Sequence, residues 1–192
     1  GIISVMNSGS QVFGNVLVGN GVGLAIGVST GQASPAVNRY YQNTIAYSIY
    51  DGIDTRFQQQ TNSNIVRNNL FLGNKGAGIR KMTNAAVMDA DYNAFYGNAS
   101  AILNLNIDGV TVPAPAQSAG AHDLTSDPLV AGGTAPMAYS LKGTSPLIGA
   151  GVPLGPLPDF FGRSFKYPPA IGAIEYMGSA RTGIRASASA RP

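Results

Sequence analysis

The chain has no cysteine, which excludes disulfides, thiolate metal sites and cysteine nucleophiles. Its one histidine, His122, is followed by Asp123. Neighbouring side chains on a strand point apart, and no nucleophile motif accompanies the pair, so a loop or cap position is expected. Charged residues make up only 11% of 192. No stretch approaches the roughly 18 uncharged apolar residues that a membrane-spanning helix requires. No helix-length window keeps a period of about 3.6. The net charge of +3 is carried by the end of the chain. Arg181, Arg185 and Arg191 are three of the 12 basic residues, and the remaining nine balance the nine acids. No basic stripe of the kind that binds nucleic acid is present, and a nucleic-acid partner is not expected.

What the chain does have is a repeat. Asn69-Leu-Phe-Leu-Gly-Asn74 matches Asn15-Val-Leu-Val-Gly-Asn20 and Asn93-Ala-Phe-Tyr-Gly-Asn98, with a variant, Asn43-Thr-Ile-Ala-Tyr-Ser48. The leading asparagines step by 28, 26 and 24 residues, a spacing that marks a solenoid. Each unit holds short apolar runs separated by Gly, Asn, Asp or Ser, which is strand-and-turn punctuation. Asparagine and glycine tolerate the left-handed backbone of sharp corners. Stacked corner asparagines can form hydrogen-bonded ladders. One unit cannot bury its apolar side, whereas stacked units share a core. The expectation is a coil of parallel strands, about one turn per repeat.

Along the chain, Gly1–Val5 reads as a strand with no polar cap before it, so upstream β-helix turns of the same protein are expected. Residues 1–105 are assigned to the turns. A loop is placed at Ser29–Pro35 and a link at Gln58–Asn62. Residues 106–121, with the proline-held stretch Val112–Ala116, are read as an extended linker. Residues 122–176 are read as C-terminal strands and cap, and 177–192 as a disordered tail.

The stretch from His122 to Tyr176 contains Asp127-Pro-Leu, Tyr139-Ser-Leu141, Ser145-Pro-Leu-Ile-Gly149, Asp159-Phe-Phe-Gly162 and Ile171-Gly-Ala-Ile-Glu175. This ordered series resembles the C-terminal end of bacterial right-handed parallel β-helix proteins. The resemblance implies an all-β, right-handed parallel β-helix with a non-repeating C-terminal cap. Many members of that family are secreted polysaccharide lyases or hydrolases, and others are adhesins.

Tyr50-Asp51-Gly52-Ile53-Asp54, with Ile79-Arg80-Lys81 one turn later, is similar to a motif of β-helical pectate lyases. There, aspartates hold calcium and a basic residue from a neighbouring turn removes the proton alpha to a uronate carboxylate. The resemblance implies Asp51 and Asp54 as metal ligands, calcium as cofactor, and Lys81 or Arg80 as the basic group. Tyr50 stands where that motif has a further acid, and Lys81 comes one residue late. The alternative is that Asp51 and Asp54 are corner residues capping a turn. Asp89 and Asp91, with Asp108, form a second acidic set whose alternative is a polar corner. Asp159, Arg163 and Glu175 are expected to form a salt-bridged cap. Among the tyrosines, Tyr47, Tyr50 and Tyr96 are taken as candidates to stack on sugar rings.

These readings imply a carbohydrate-associated protein, secreted or at a bacterial cell surface, with polysaccharide as partner. Calcium-assisted β-elimination on acidic polysaccharide is one form of that reading. A non-catalytic adhesin, fibre or cap segment, binding glycans or proteins through its flank, is the other.

Overall fold

The structure, a computed structural model, describes residues 1–5, 9–27, 37–57, 63–82, 88–105 and 120–178. The loop at Ser29–Pro35, the link at Gln58–Asn62, Asp108, the stretch Val112–Ala116 and residues 179–192 lie outside the described residues.

A first strand, β1 (Ile2–Val5), precedes four triplets. They are β2 (Gln11–Phe13), β3 (Val16–Val18) and β4 (Leu24–Gly27); β5 (Val37–Tyr41), β6 (Thr44–Ala46) and β7 (Ile53–Phe57); β8 (Ser63–Arg67), β9 (Leu70–Leu72) and β10 (Ala77–Met82); and β11 (Met88–Asp91), β12 (Ala94–Tyr96) and β13 (Ser100–Leu105). Each triplet sends one strand to each of three parallel sheets. The first sheet is β11-β8-β5-β2, the second β12-β9-β6-β3, and the third β1-β4-β7-β10-β13. Parallel neighbours require a long return connection, and here that return is the other two strands of the turn. The described residues are thus nearly all β, in stacked parallel sheets compatible with a β-helix-like solenoid.

Register places like on like. In the third sheet Ile2, Leu24, Ile53, Ile79 and Ile102 fall in one row. In the second, Leu17, Ile45, Phe71 and Phe95 do the same, and the last two rings stack at 4.9 Å. With Tyr40 and Val66 of the first sheet they form one core. Full burial of each such side chain contributes about 1.5–3 kcal/mol.

The corners between the first and second sheets carry the asparagine ladder. The Asn15 main-chain N–H and side-chain amide both donate to Asn43 Oδ1 (3.1 and 2.9 Å). Asn43 repeats this on Asn69 (3.0 and 3.0 Å) and Asn69 on Asn93 (3.0 and 3.0 Å). The ladder does not stop at the fourth turn. Asn93 N–H donates to Asp123 Oδ1 at 2.6 Å, and Leu124 bridges Ala94 in parallel. The sequence pattern was expected to end near Asn106; a fifth step exists, with aspartate in place of asparagine. An acceptor alone suffices there, because Asp123 is the last member.

The rest of the described C-terminal region packs against the second sheet. After Leu124 the chain folds back along the outer face of the second sheet. Asn68 grips the main chain of Val152 with both ends of its amide (2.7 and 2.9 Å). Ala173 N–H donates to Thr44 Oγ1 at 3.0 Å, and the chain at Pro158 approaches Gly14 of the first turn. Ala46, Leu70, Leu72 and Ala94 pack outward against Leu147, Ile171 and Ile174 in a second core. Strand alternation explains this: the middle residue of each short strand points in, and Thr44, Ala46, Leu70, Leu72 and Ala94 beside it point out into the cover, while Val18 and Tyr96 stay partly exposed.

A second ladder is interrupted. The slot five residues after each leading asparagine holds Asn20, Ser48, Asn74 and Asn98. Asn74 Oδ1 accepts Ser48 N–H at 2.9 Å, and Asn98 Oδ1 accepts Asn74 N–H at 3.0 Å. Ser48 is too short to serve Asn20, and its buried Oγ has no hydrogen-bond partner. Ser48→Asn is therefore expected to complete the ladder. Its oxygen would take the Asn20 N–H, and its nitrogen would reach Leu17 O as Asn74 reaches Ile45 O (3.2 Å). The gain is about 1 kcal/mol, read as a rise of about 2–4 °C in Tm. An unchanged or lowered Tm would show that the slot at Ser48 cannot admit the amide.

Candidate functional site

Of the residues singled out in the sequence, Tyr47, Tyr50 and Asp51 lie at the corner between the second and third sheets, with Asp54, Arg80 and Tyr96 on adjoining strands. The slot four residues after each leading asparagine has a left-handed backbone in all four turns. Gly19, Gly73 and Gly97 have φ of 65°, 61° and 68°, but the second turn puts Tyr47 there at φ 55°. A bulky residue in this region is a genuine outlier, and the strain costs about 1 kcal/mol. Its ring lies across the next turn. A Cβ at Gly73 would come within 2.6 Å of Tyr47 Cε1, so Gly73 is required twice, by its own φ and by the ring above it.

Tyr47 nonetheless stays 52% exposed, beside Ile49 and a 59%-exposed Tyr50, with Tyr96 38% exposed two turns along. Lys75 is the one charged residue at the three described corners Tyr47–Tyr50, Gly73–Gly76 and Gly97–Ala99, and it is exposed. Tyr139 of the cover stands behind Tyr47. Burial, with Tyr47 nearby, raises its phenol pKa above the ordinary value.

Asp51 and Asp54 lie at the inner margin of this corner and are both buried. Asp51 accepts the Ala77 N–H at 2.8 Å and the Arg80 Nε at 2.5 Å, with Arg80 Nη2 at 3.3 Å. Asp54 sits directly beside Arg80 in register. Lys81 is paired in register with Asn104, and strand alternation turns it to the opposite side from Arg80. The structure thus brings Asp51, Asp54 and Arg80 together and leaves Lys81 apart.

This donor set does not fit calcium. A calcium ion takes six to eight oxygens, but the Asp51 carboxylate faces a guanidinium and a main-chain amide. Among the described residues no group of three acidic or histidine side chains is placed to hold a metal. Arg80, always charged and already bound to Asp51, is not positioned as a base.

The second acidic set is divided between two partners. Asp89 pairs with Arg67 at 2.6 Å. Asp91 Oδ2 meets His122 Nδ1 at 2.8 Å, while the His122 ring stacks on Tyr92 at 4.3 Å. The sequence reading set His122 and Asp123 apart and expected a loop or cap histidine; the fold links His122 to Asp91, 31 residues away. Burial pushes the Asp91 carboxyl up, but hydrogen bonds from His122 and the Tyr92 amide, with the His122 charge, bring it below the usual carboxylate range. Asp123 goes the other way. Burial raises it, the neighbouring Asp91 charge adds to this, and the Asn93 and Gly120 amides only partly offset it.

In the cover, Arg163 meets the buried Asp159 at 2.5 Å, and Glu175 accepts Ala170 N–H at 2.9 Å. Asp159 and Arg163 form the expected salt bridge, whereas the Glu175 carboxylate holds main-chain amides and only its carbonyl meets Arg163, at 3.3 Å. The signal that sequence reading passed over at the corner was the slot itself: Gly, Tyr, Gly, Gly at four residues after each asparagine. No protein-family model, curated protein or solved structure matches the chain.

Proposed function

We propose that this chain is a right-handed parallel β-helix segment of a secreted or surface-exposed bacterial protein, and that it binds glycan through the Tyr47–Tyr50–Tyr96 flank. The observation that carries the reading is Tyr47, held half-exposed in a left-handed slot where the other three turns have glycine. The other bulky residues in strained corner slots each have an internal partner. Gln42 and Asn68 bracket the cover, and Tyr92 stacks on His122. Tyr47 leaves half of its ring in solvent, where an apolar face suits the C–H surface of a sugar. The flank is nearly uncharged, which favours neutral or weakly acidic polysaccharide over a densely anionic one. A lyase centre gains no support, because Asp51 and Arg80 neutralise each other and Lys81 is turned away.

Affinity electrophoresis through gels containing neutral and uronate polysaccharides tests this. Retardation by at least one polymer is expected. It should weaken several-fold in Tyr47→Ala and again in Tyr50→Ala, since each stacked ring contributes about 1 kcal/mol. Retention unchanged in the double variant would remove the flank from the reading. Release of unsaturated uronate products by the wild type would restore the lyase.

A further inference from the structure

The cover contains a concave site unrelated to the tyrosine flank. Between the cover and the corner at Gln42 lies a cavity of about 540 Å³, within the size range of small-molecule sites. It adjoins the corner between the first and second sheets, whereas Tyr47 sits at the corner on the other margin of the second sheet.

Its walls are four prolines together with Leu154, Phe165 and Tyr167. Proline rings do not rotate inward to fill a void, and they bring no N–H donors. The cavity therefore keeps its shape and offers flat apolar surfaces. Its floor is equally fixed. With its nitrogen turned toward them, the buried Gln42 amide donates to the carbonyls of Gly172, Asn68 and Ala170 at 3.1–3.2 Å. Tyr167, 85% exposed, stands at the rim with its ring unburied.

One charged residue lines the site, Lys166. Its ammonium donates to the main-chain carbonyl of Tyr176 and lies 5.4 Å from the centre of that residue's ring. Neither partner carries a negative charge. The acids nearby are otherwise engaged: Asp159 holds Arg163, and Glu175 holds the Ala170 and Tyr176 amides. Among the described residues no acid meets the one cation that lines this apolar cavity, and that combination selects an anion with a flat apolar body.

We propose that this cavity is a binding site for a small monocarboxylate built on one or two six-membered rings, with the rings against the prolines, Phe165 and Tyr167 and the carboxylate at Lys166. It is independent of the glycan-binding flank and stands if that reading fails.

The test uses the full chain and two probes of equal shape, 2-naphthoate and 2-naphthylmethanol, followed by ligand-observed NMR and calorimetric titration. The wild type is expected to bind naphthoate saturably and the neutral alcohol about threefold to fivefold more weakly, the margin of an exposed charge pair. Lys166→Gln, an exposed change that leaves the fold intact, should erase that difference and leave alcohol binding unchanged. Leu154→Trp should fill the cavity and abolish binding of both, with near-UV circular dichroism confirming packing. Tyr47→Ala should change neither. Absence of saturable binding, equal binding of both probes by the wild type, or binding that survives Leu154→Trp in a packed protein would each overturn the proposal.

Discussion

Replacing Asn69 by Ala is expected to destabilise the protein by about 4 kcal/mol, at the far end of what a single change produces. The side chain is fully buried and makes five hydrogen bonds. Its oxygen accepts the N–H and the side-chain amide of Asn43 at 3.0 Å each. Its nitrogen donates to Asn93 Oδ1 at 3.0 Å, to Tyr40 O at 2.8 Å and to Arg67 O at 2.9 Å. Truncation strands two donors on Asn43 and weakens the satisfaction of two carbonyls, each unsatisfied buried group costing about 1–3 kcal/mol. Asn15→Ala is the internal control. The Asn15 side chain gives a hydrogen bond to the ladder, its Oδ1 takes none from the described residues, and it is only half-buried, so about 1 kcal/mol is expected there. Denaturant titration reads both. Equal losses at the two positions would mean that the ladder merely decorates the apolar rows.

That ladder is also where the sequence was most informative. A side chain that must satisfy its own corner and the next leaves the same residue type in the same slot, so Asn15, Asn43, Asn69 and Asn93 announce the turns directly. Asp123 is the fifth member and escaped notice for two reasons. The spacing from Asn93 lengthens to 30 residues, and the end of a ladder requires only an acceptor, so the residue type changes. Asp123-Leu124 set beside Asn69-Leu70 is the trace that was available.

The cover was legible in another way. Val16-Leu-Val18 and Leu70-Phe-Leu72 are apolar throughout, whereas Ser63–Arg67 alternates buried and half-buried residues. A strand with no polar face is covered on both sides, so the second sheet called for something over it, and the C-terminal region supplies it. The pairings Asp51–Arg80 and Asp91–His122 were not legible. Motif likeness placed Asp51 among metal ligands because a carboxylate at a strand entry looks the same whether a cation or a guanidinium faces it. Which of the two is present depends on the register of the next turn.

The acid response of the cover follows from its clamp. Asp159 takes the amides of Phe161, Arg163 and Glu175 at 2.9, 2.8 and 3.2 Å, and Arg163 closes over it with two further bonds of 2.8 and 2.5 Å. Burial alone would raise its pKa, but the Arg163 side-chain bonds, the Arg163 and Glu175 amides and the guanidinium charge together hold it below the ordinary carboxylate value. With the folded value depressed, the ionised form favours the fold. That contribution is complete above the unfolded pKa and is lost as pH falls through the folded one. Asp91 acts in the same direction. Asp123, raised by burial, opposes them: its contribution is present in acid and fades as pH rises through its folded value.

Asp159→Asn is therefore expected to cost about 2–3 kcal/mol at pH 7, and the difference from wild type should shrink as pH falls below the ordinary carboxylate value and close only once pH has passed through the depressed folded one. Hydrogen exchange locates the loss. Amides of the cover between residues 145 and 176 should exchange faster in the variant, while the ladder amides of Asn43 and Asn69 keep their protection. Asp123→Asn should show the opposite pH trend, gaining on the wild type as pH rises. A loss for Asp159→Asn that does not shrink as pH is lowered from 7 through the carboxylate range would mean that shape, not charge, makes the clamp. Faster exchange at Asn43 and Asn69 as well would mean that the coil cannot keep its second sheet in order without the cover.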